Sequence, residues 1–307
     1  MRKFYVLLVL IGIAIGGNAQ GKRKSSALRA TKETKKAKGI SKKGANKNRP
    51  NPNQFLEQQW WLGFKAGTNL AQADPLKRYT ILTPTNYSSS LTDKQYDDFK
   101  ELGIQTSIEI SYYYKGFYFS TQPGYISSTF TYSNQLQWFN ALNANETLTQ
   151  TYKQSQKVEY ADFPFIIKYD IVGNKLRPFV QVGIFYSLLL NAVKTVNVSG
   201  IDQASGGTNV LSTEPLIVGA KDLFSNYWGL MGGVGATYQL GNVKLILDAS
   251  YRQSMSNIAN PQNRFTNDRL SGIGDAQDDL NLKNIVISAG VLFPMRYLSN
   301  SFKSNDR

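Results

Sequence analysis

An alternation of apolar and polar residues, repeated along most of the chain, constrains the fold more than any other feature. From about residue 59 onward it recurs in eight segments, each close to the roughly 9–11 residues with which a tilted strand crosses a membrane. In one segment, Phe163 and Phe165 alternate with Asp162 and, further on, Lys168. Because a period of two puts the two sets on opposite faces of a β-strand, the pattern predicts an all-β protein.

Short and long connections alternate between these segments. Lys115-Gly116 and Gly241-Asn242 have the composition of tight hairpins, and residues 171–177 form a third short connection. The other connections are long and rich in Asn, Ser, Thr, Asp and Gly: residues 71–103, 132–156, 192–226 and 254–281. Short turns on one rim and long loops on the other are typical of bacterial outer-membrane barrels.

The alternation alone also fits a soluble lipocalin-like barrel, in which the two faces are exchanged. Two further features favour a membrane protein. The polar face has many glycines and few charges, unlike a surface that faces water. Aromatic residues collect at strand ends, as in the interfacial girdles of membrane barrels: Trp60, Tyr112, Tyr114, Phe117, Tyr169, Trp228, Tyr251 and Phe293. We therefore predict an eight-stranded, antiparallel, up-and-down transmembrane β-barrel in the outer membrane, with short periplasmic turns and long extracellular loops.

Seven charged residues fall on the polar face, which would line the interior of such a barrel: Lys65, Glu109, Asp162, Lys168, Lys244, Asp248 and Arg252. Side chains fill an eight-stranded interior, and buried charges persist there only when they are paired. Because four cations accompany three anions, we expect a structural network of ion pairs. A proton or ion pathway is the alternative interpretation.

The beginning of the chain has the features of a secretory signal peptide. Arg2 and Lys3 precede an apolar stretch, and small residues precede a cleavage position after Ala19. The expected organisation is a signal peptide at 1–19, a disordered periplasmic leader at 20–58, the barrel at 59–293 and a periplasmic tail at 294–307.

The net charge of +14 is concentrated in the leader. Residues 21–53 contain twelve Lys or Arg against a single acidic residue, Glu33. The basic residues include Lys22, Arg23, Lys24, Lys35, Lys36, Lys38, Lys42 and Lys43. Such a segment attracts anionic partners, so peptidoglycan and secretion-system proteins are candidates. Export argues against nucleic acid as the partner.

Histidine and cysteine are absent from the chain. Their absence removes the Ser-His-Asp and Cys-His nucleophile systems and the Cys/His zinc sites. We expect no cofactor and no enzymatic activity, with a Ser/Asp arrangement in the loops as the enzymatic alternative. Asp268, Asp275, Asp278 and Asp279 are candidate calcium ligands, although their order does not match an EF-hand loop. A solvated acidic cluster is the alternative.

Several strands resemble those of a known family. Residues 160–169, Tyr-Ala-Asp-Phe-Pro-Phe-Ile-Ile-Lys-Tyr, resemble the proline-centred fourth strand of the PorT-like outer-membrane barrels of Bacteroidota. Residues 177–183, 227–235 and 247–252, the last followed by 256–258, are similar to the strands that follow. The resemblance extends over roughly residues 60–293 and carries no catalytic residues. It implies a role in type IX secretion, which exports proteins across the outer membrane.

These features predict an accessory or assembly component of protein secretion in the outer membrane. It would contact outer-membrane lipid, with both ends of the mature chain in the periplasm. The alternative is a structural or adhesive surface barrel that acts through its extracellular loops.

Overall fold

The structure is a computed structural model that describes residues 58–79, 93–140, 142–143, 145–171, 175–205 and 207–295. Most of these residues lie in twelve strands: β1 (Gln58–Lys77), β2 (Gln95–Tyr96), β3 (Leu102–Tyr114), β4 (Phe117–Thr121), β5 (Gly124–Phe139), β6 (Thr147–Asp170), β7 (Leu176–Asp202), β8 (Asn209–Ser212), β9 (Leu216–Gly219), β10 (Tyr227–Leu240), β11 (Val243–Ser254) and β12 (Asp279–Pro294). The described part also contains two 3₁₀ turns, Lys221–Leu223 and Pro261–Asn263, and one short helix, α1 (Asp268–Ser271). None of the helices in that part is long and apolar enough to cross a membrane.

Antiparallel pairing joins most of these strands into a closed ring. β1 pairs with β3 on one side and with β12 on the other. From β3 the pairing continues through β4 and β5 to β6, then through β7, β10 and β11 back to β12. β4 and β5 share one place in the ring, because each pairs with both β3 and β6. The predicted all-β, antiparallel fold is confirmed.

The chain interrupts the ladder between β4 and β5 at Gln122 and Pro123. Proline has no N–H group to donate to a neighbouring strand. Its carbonyl still accepts from the Ile108 N–H over 2.9 Å, so the ring stays closed at this point. The sequence predicts one strand before the long connection at residues 132–156, whereas the structure has two strands here and the second continues to Phe139.

Tight turns lie where the sequence predicts hairpins. Between β3 and β4, Lys115 and Gly116 have φ angles of 45° and 93°, as a type I′ turn requires. Between β10 and β11, Gly241 has a φ of 62°, which glycine adopts without the clash that a Cβ atom would cause. Both turns lie at the end of the ring where β1 begins and β12 ends.

The apolar face of the sheet changes sides within the longer strands. Near the end of β6, Phe165 faces outward and is exposed, while the neighbouring Lys168 faces inward and is buried. Near the beginning of the same strand, Lys153 is outward and exposed, while Tyr160 is inward and buried. The ring therefore has a lower part, next to the tight turns, with apolar side chains outside. In its upper part, away from those turns, apolar side chains are inside.

The long loops are predicted too long, and this reversal of the apolar face is the reason. β5 and β6 leave only residues 140–146 between them, and β7 continues to Asp202. β1 likewise continues to Lys77, and β12 begins at Asp279. The upper strands expose Ser, Thr, Gln and Asn, which in sequence are typical of loops. Their apolar residues also alternate in the opposite phase, so the periodic segments look shorter than the strands are.

A hydrophobic core fills the interior of the upper part. Inward side chains of the strands belong to the same buried cluster as Ile258 and Leu270 from the connection between β11 and β12. The strand side chains of this cluster include Phe130, Tyr132, Tyr160, Val196 and Leu280. The connection, residues 255–278, thus contributes to the core inside the ring.

Candidate functional site

The seven charged residues that the sequence places on the interior face all lie inside the ring. Each is at most 5% exposed: Lys65, Glu109, Asp162, Lys168, Lys244, Asp248 and Arg252. The structure brings six of them into two ion-paired groups and places the seventh, Lys244, among aromatic rings.

Glu109 of β3 is central to the first group. Its Oε1 accepts from Lys168 Nζ over 2.6 Å, and its Oε2 accepts from Gln122 Nε2 over 2.9 Å. Lys65 Nζ lies 3.8 Å from the same Oε2 and also forms an ion pair with Asp248. This group connects β1, β3, β6 and β11 through the interior.

Asp162 of β6 and Arg252 of β11 form the second group. Oδ1 of Asp162 accepts from Arg252 Nη2 over 2.6 Å and from Ser187 Oγ over 2.7 Å. The Arg252 guanidinium carbon lies 4.0 Å from the centroid of the Phe185 ring, a cation–π contact. The ring fits there because Gly229 lies opposite Phe185, where a Cβ atom would be 2.5 Å from the ring.

Lys244 of β11 lies near the tight turns. Its Nζ donates to the Tyr118 hydroxyl over 2.7 Å and is 4.0 Å from the centroid of a Trp61 ring. The rings of Tyr113 and Tyr118 are 5.2 and 5.1 Å away. Because the faces of aromatic rings carry partial negative charge, the three rings attract the ammonium group.

The geometry of the interior is suited to cross-linking strands. A buried charge without a partner is strongly destabilising, and each carboxylate of the predicted network has a cationic partner. Within the described ranges, no group of three or more His, Cys, Asp or Glu side chains is arranged to hold a metal ion.

A further ion cluster, which the sequence analysis did not predict, lies inside the upper part. Asp275 is 2.5 Å from Lys194 Nζ of β7 and 3.1 Å from Lys94 Nζ. Asp278 is 3.3 Å from Lys94 Nζ and accepts from the Tyr96 hydroxyl over 2.7 Å. We call Lys94, Lys194, Asp275 and Asp278 the upper ion cluster, and each is at most 6% exposed.

The two lysines hold Asp275 in its ionised form. Burial by itself would raise the pKa of this carboxyl group, but Lys194 and Lys94 outweigh burial and lower its pKa to about 2. The sequence signal for the cluster is Lys194, which lies two positions from Ala192 and from Val196 and therefore on the same buried face of the strand. The composition of residues 192–226 predicts a loop, so this alternation is not recognised from sequence alone.

The four aspartates considered as calcium ligands do not converge on one site. Asp275 and Asp278 are engaged by the lysines of the upper ion cluster. Asp279 accepts from Arg264 over 2.7 Å, and Asp268 is exposed on α1. Carboxylates that are already paired with cations are poor ligands for an added one. The basic leader at residues 21–53, by contrast, lies outside the described residues.

The outer surface of the lower part is an apolar belt. On β7, the outward side chains between residues 180 and 188 are all apolar or aromatic and exposed, over roughly 26 Å of strand. The band of a membrane barrel is about 25 Å tall. Aromatic pairs lie at the tight-turn edge of the belt, where Trp60 contacts Tyr112 and Phe117 contacts Tyr169, with centroids 5.0 and 4.8 Å apart.

The belt contains a shallow apolar depression of about 690 Å³. Large side chains surround the small Thr121 at this place: Trp60, Ile110, Phe119, Phe165, Ile167, Val182 and Ile184. The depression faces outward like the rest of the belt, so it is a feature of the apolar surface and has no convergent polar groups.

The outer face of the upper part is polar. Across β5, β6 and β7, the strand register forms rows of polar side chains, such as Ser133, Lys153 and Asn197. A cleft of about 230 Å³ opens on this face. It is lined by Asp97, Lys100, Thr131, Tyr132, Ser133, Lys153, Gln154, Ser155 and Asn197.

Comparison with known proteins gives one family match. Residues 45–260 match the family described as "Outer membrane protein beta-barrel domain", which covers more than half of the chain. No curated protein matches the chain.

Solved structures of two bacterial proteins are also similar to this one. Neisserial surface protein A is 12% identical, over 76% of this chain and 96% of its own, with a TM-score of 0.31. The attachment invasion locus protein Ail of Yersinia pestis is 11% identical, over 76% of this chain and 99% of its own, with a TM-score of 0.25. The family is assigned from the match to residues 45–260 and not from these two structures. This chain belongs to the family of outer-membrane proteins with a β-barrel domain.

Proposed function

We propose that this chain is a non-enzymatic outer-membrane protein that binds ligands at the cell surface through the upper part of its ring. In this proposal the ring is an eight-stranded, up-and-down transmembrane β-barrel, in which β4 and β5 count as one interrupted strand. The apolar belt contacts outer-membrane lipid. The tight turns and both ends of the mature chain lie in the periplasm, and the upper part projects from the membrane.

The observation that carries the proposal is the reversal of the apolar face along β6. The outward Phe163 and Phe165 suit a lipid environment, whereas the outward Lys153 and Ser155 suit water. From residue 147 to residue 160 the strand extends beyond the belt over roughly 40 Å. A paired sheet of this length is far more than a connection between strands requires, and it offers a rigid surface for binding.

The filled interior supports action at a surface rather than passage through the ring. Ion pairs occupy the interior of the lower part, and a hydrophobic core with the upper ion cluster occupies that of the upper part. An eight-stranded ring leaves an interior just wide enough for side chains. The outer face of the upper part therefore offers the accessible chemistry.

The orientation is tested by labelling single cysteines, since the natural chain has none. In intact cells, an impermeant maleimide should react with Asn143→Cys and Ser205→Cys, which lie at the far ends of the upper strands. Lys115→Cys, at a tight turn, is the matched control and should react only after permeabilisation. Labelling of Lys115→Cys in intact cells together with protection of Asn143→Cys would refute surface display of the upper part.

A second candidate function is an accessory role in protein secretion, as in the PorT-like barrels. Two sequence features favour it: the resemblance of residues 160–169 to that family, and the basic leader at residues 21–53. Removal of the leader should leave membrane insertion intact but reduce secretion and partner capture. Replacement of its lysines by glutamine should have the same effect if charge is the cause. Normal secretion by the glutamine variant would show that the leader acts only as a spacer.

A further inference from the structure

The polar cleft on the upper part has one wall that is fixed by hydrogen bonds. The Asp97 N–H donates to the Thr131 carbonyl over 2.9 Å, and the Thr131 hydroxyl donates to Asp97 Oδ2 over 2.6 Å. Lys100 Nζ lies 3.4 Å from the same carboxylate oxygen. These contacts hold the segment after β2 against β5, so this wall of the cleft has a fixed position.

The opposite side of the cleft offers hydrogen-bonding groups that are not used by the protein. Ser133, Lys153, Ser155 and Asn197 come from three adjacent strands, and their register places them side by side. Within the part of the chain that the structure describes, their side chains make no hydrogen bond or ion pair. Two hydroxyls, an amide and an ammonium group therefore converge on one space.

We propose that this cleft binds an acidic saccharide, a sugar that carries a carboxylate or a phosphate. The inference rests on the proposed surface display of the upper part. Hydroxyl and amide groups both donate and accept, which suits a ligand with many hydroxyl groups. Lys100 and Lys153 outnumber Asp97, and Asp97 is already engaged, so the remaining charge favours an anionic substituent. A volume of about 230 Å³ equals roughly eight waters, which is the scale of one sugar ring.

Other kinds of ligand fit the cleft less well. Tyr132 and Gln154 are buried and face the interior, so the side chains that the cleft presents to a ligand are the polar and charged ones. An apolar ligand would therefore contact polar groups. A peptide that adds as a strand needs a free sheet edge. At this place β2 already pairs with β5, through Gln95 and Ser133.

Two sources of acidic saccharide reach the cleft. Ser155 is eight positions from Phe163 of the belt along β6, or roughly 25 Å of strand. At that height the cleft is accessible both to the headgroup sugars of a glycolipid in the same membrane and to saccharides from outside the cell.

The test measures binding to the full-length protein in detergent micelles by calorimetry. The soluble arm uses glucuronate and glucose 6-phosphate, with glucose as the neutral comparison. The membrane arm adds lipopolysaccharide to the micelles, with phosphatidylethanolamine as the comparison lipid. The test variant is Lys153→Gln, and the matched control is Lys157→Gln, which changes an exposed lysine on the same strand and face but outside the cleft. Heat-modifiable migration in gels verifies that both variants are folded.

We expect the acidic ligands to bind more tightly than glucose. Lys153→Gln should weaken their binding about tenfold or more, since a hydrogen bond to a charged group is lost, while Lys157→Gln should stay within about twofold. The arm in which this difference appears identifies the source of the saccharide. Equal binding by Lys153→Gln and the unaltered protein, or no binding in either arm, would overturn the proposal. The cysteine-labelling experiment is independent, so surface display would still stand in that case.

Discussion

Arg252 Nη2 lies 2.6 Å from Asp162 Oδ1 and joins β11 to β6 through the interior of the ring. These strands are not neighbours, because β7 and β10 lie between them in the pairing order. The ion pair therefore links two non-adjacent strands through the interior, and both residues are buried. An ion pair in this position has large consequences when one partner is removed.

The first prediction is that Arg252→Met destabilises the protein by about 3–5 kcal/mol, because Asp162 is left as a buried charge without its partner. The double variant Asp162→Asn/Arg252→Met should recover more than half of this loss, since it buries no unpaired charge. Thermal unfolding in detergent, followed by circular dichroism, provides the measurement. A double variant no more stable than Arg252→Met would contradict the electrostatic explanation.

The second prediction concerns Gly229 of β10. An added Cβ atom would lie 2.2 Å from the Gln253 carbonyl oxygen and 2.5 Å from the Phe185 ring. We expect Gly229→Ala to cost about 1–3 kcal/mol of stability, because both neighbours must move. Gly219→Ala in β9 is the control, since a Cβ atom there meets nothing within 4 Å. Equal unfolding temperatures for the two variants would show that Phe185 and its neighbours adapt freely.

Much of the lower part could be predicted from sequence because one rule applies along its strands. Outward positions are apolar, and the glycines and charged residues fall mostly at inward positions, so a period of two reveals both the strand and its faces. This rule places Lys65 and Glu109 on the interior face, and both residues are buried. Their partners were harder to assign, because Asp248 and Lys168 come from strands that are distant in sequence.

The upper part could not be predicted in the same way. Along β7, a register shift opposite Glu159 and Tyr160 brings Leu189 and Asn191 into successive pairs, and inward positions change from odd to even numbers. A search for one continuous period ends at such a bulge. The upper ion cluster draws Lys94 and Asp275 from connections between ring strands, where no periodicity exists to predict which side chains face each other.

The third prediction is that the protein reconstituted in planar bilayers forms no stable channels of nanosiemens conductance. Side chains fill an eight-stranded interior, and inward residues such as Glu109, Lys168 and Tyr160 are buried. A porin reconstituted in the same bilayers serves as the positive control. Stable openings of that size would contradict both the filled interior and the count of eight strands.

The last prediction concerns the pH dependence that Asp275 gives to the upper ion cluster. The pKa of Asp275 lies at about 2 in the folded protein, below its ordinary value of 3.8. Because the folded pKa is lowered, the carboxylate stabilises the fold fully above about pH 5. That contribution declines as pH falls and has decreased by about 2 kcal/mol at pH 2.

The measurement compares unfolding of the natural protein and Asp275→Asn in detergent between pH 6 and pH 2. At pH 6 the variant should be less stable, since Lys94 and Lys194 lose their shared carboxylate. The difference should narrow by about 2 kcal/mol at pH 2, because protonation then removes the same charge from the natural protein. Asp268→Asn, at an exposed position in the same connection, is the control for loss of a carboxylate outside the upper ion cluster. A constant difference for Asp275→Asn would mean that the lysines do not stabilise this carboxylate.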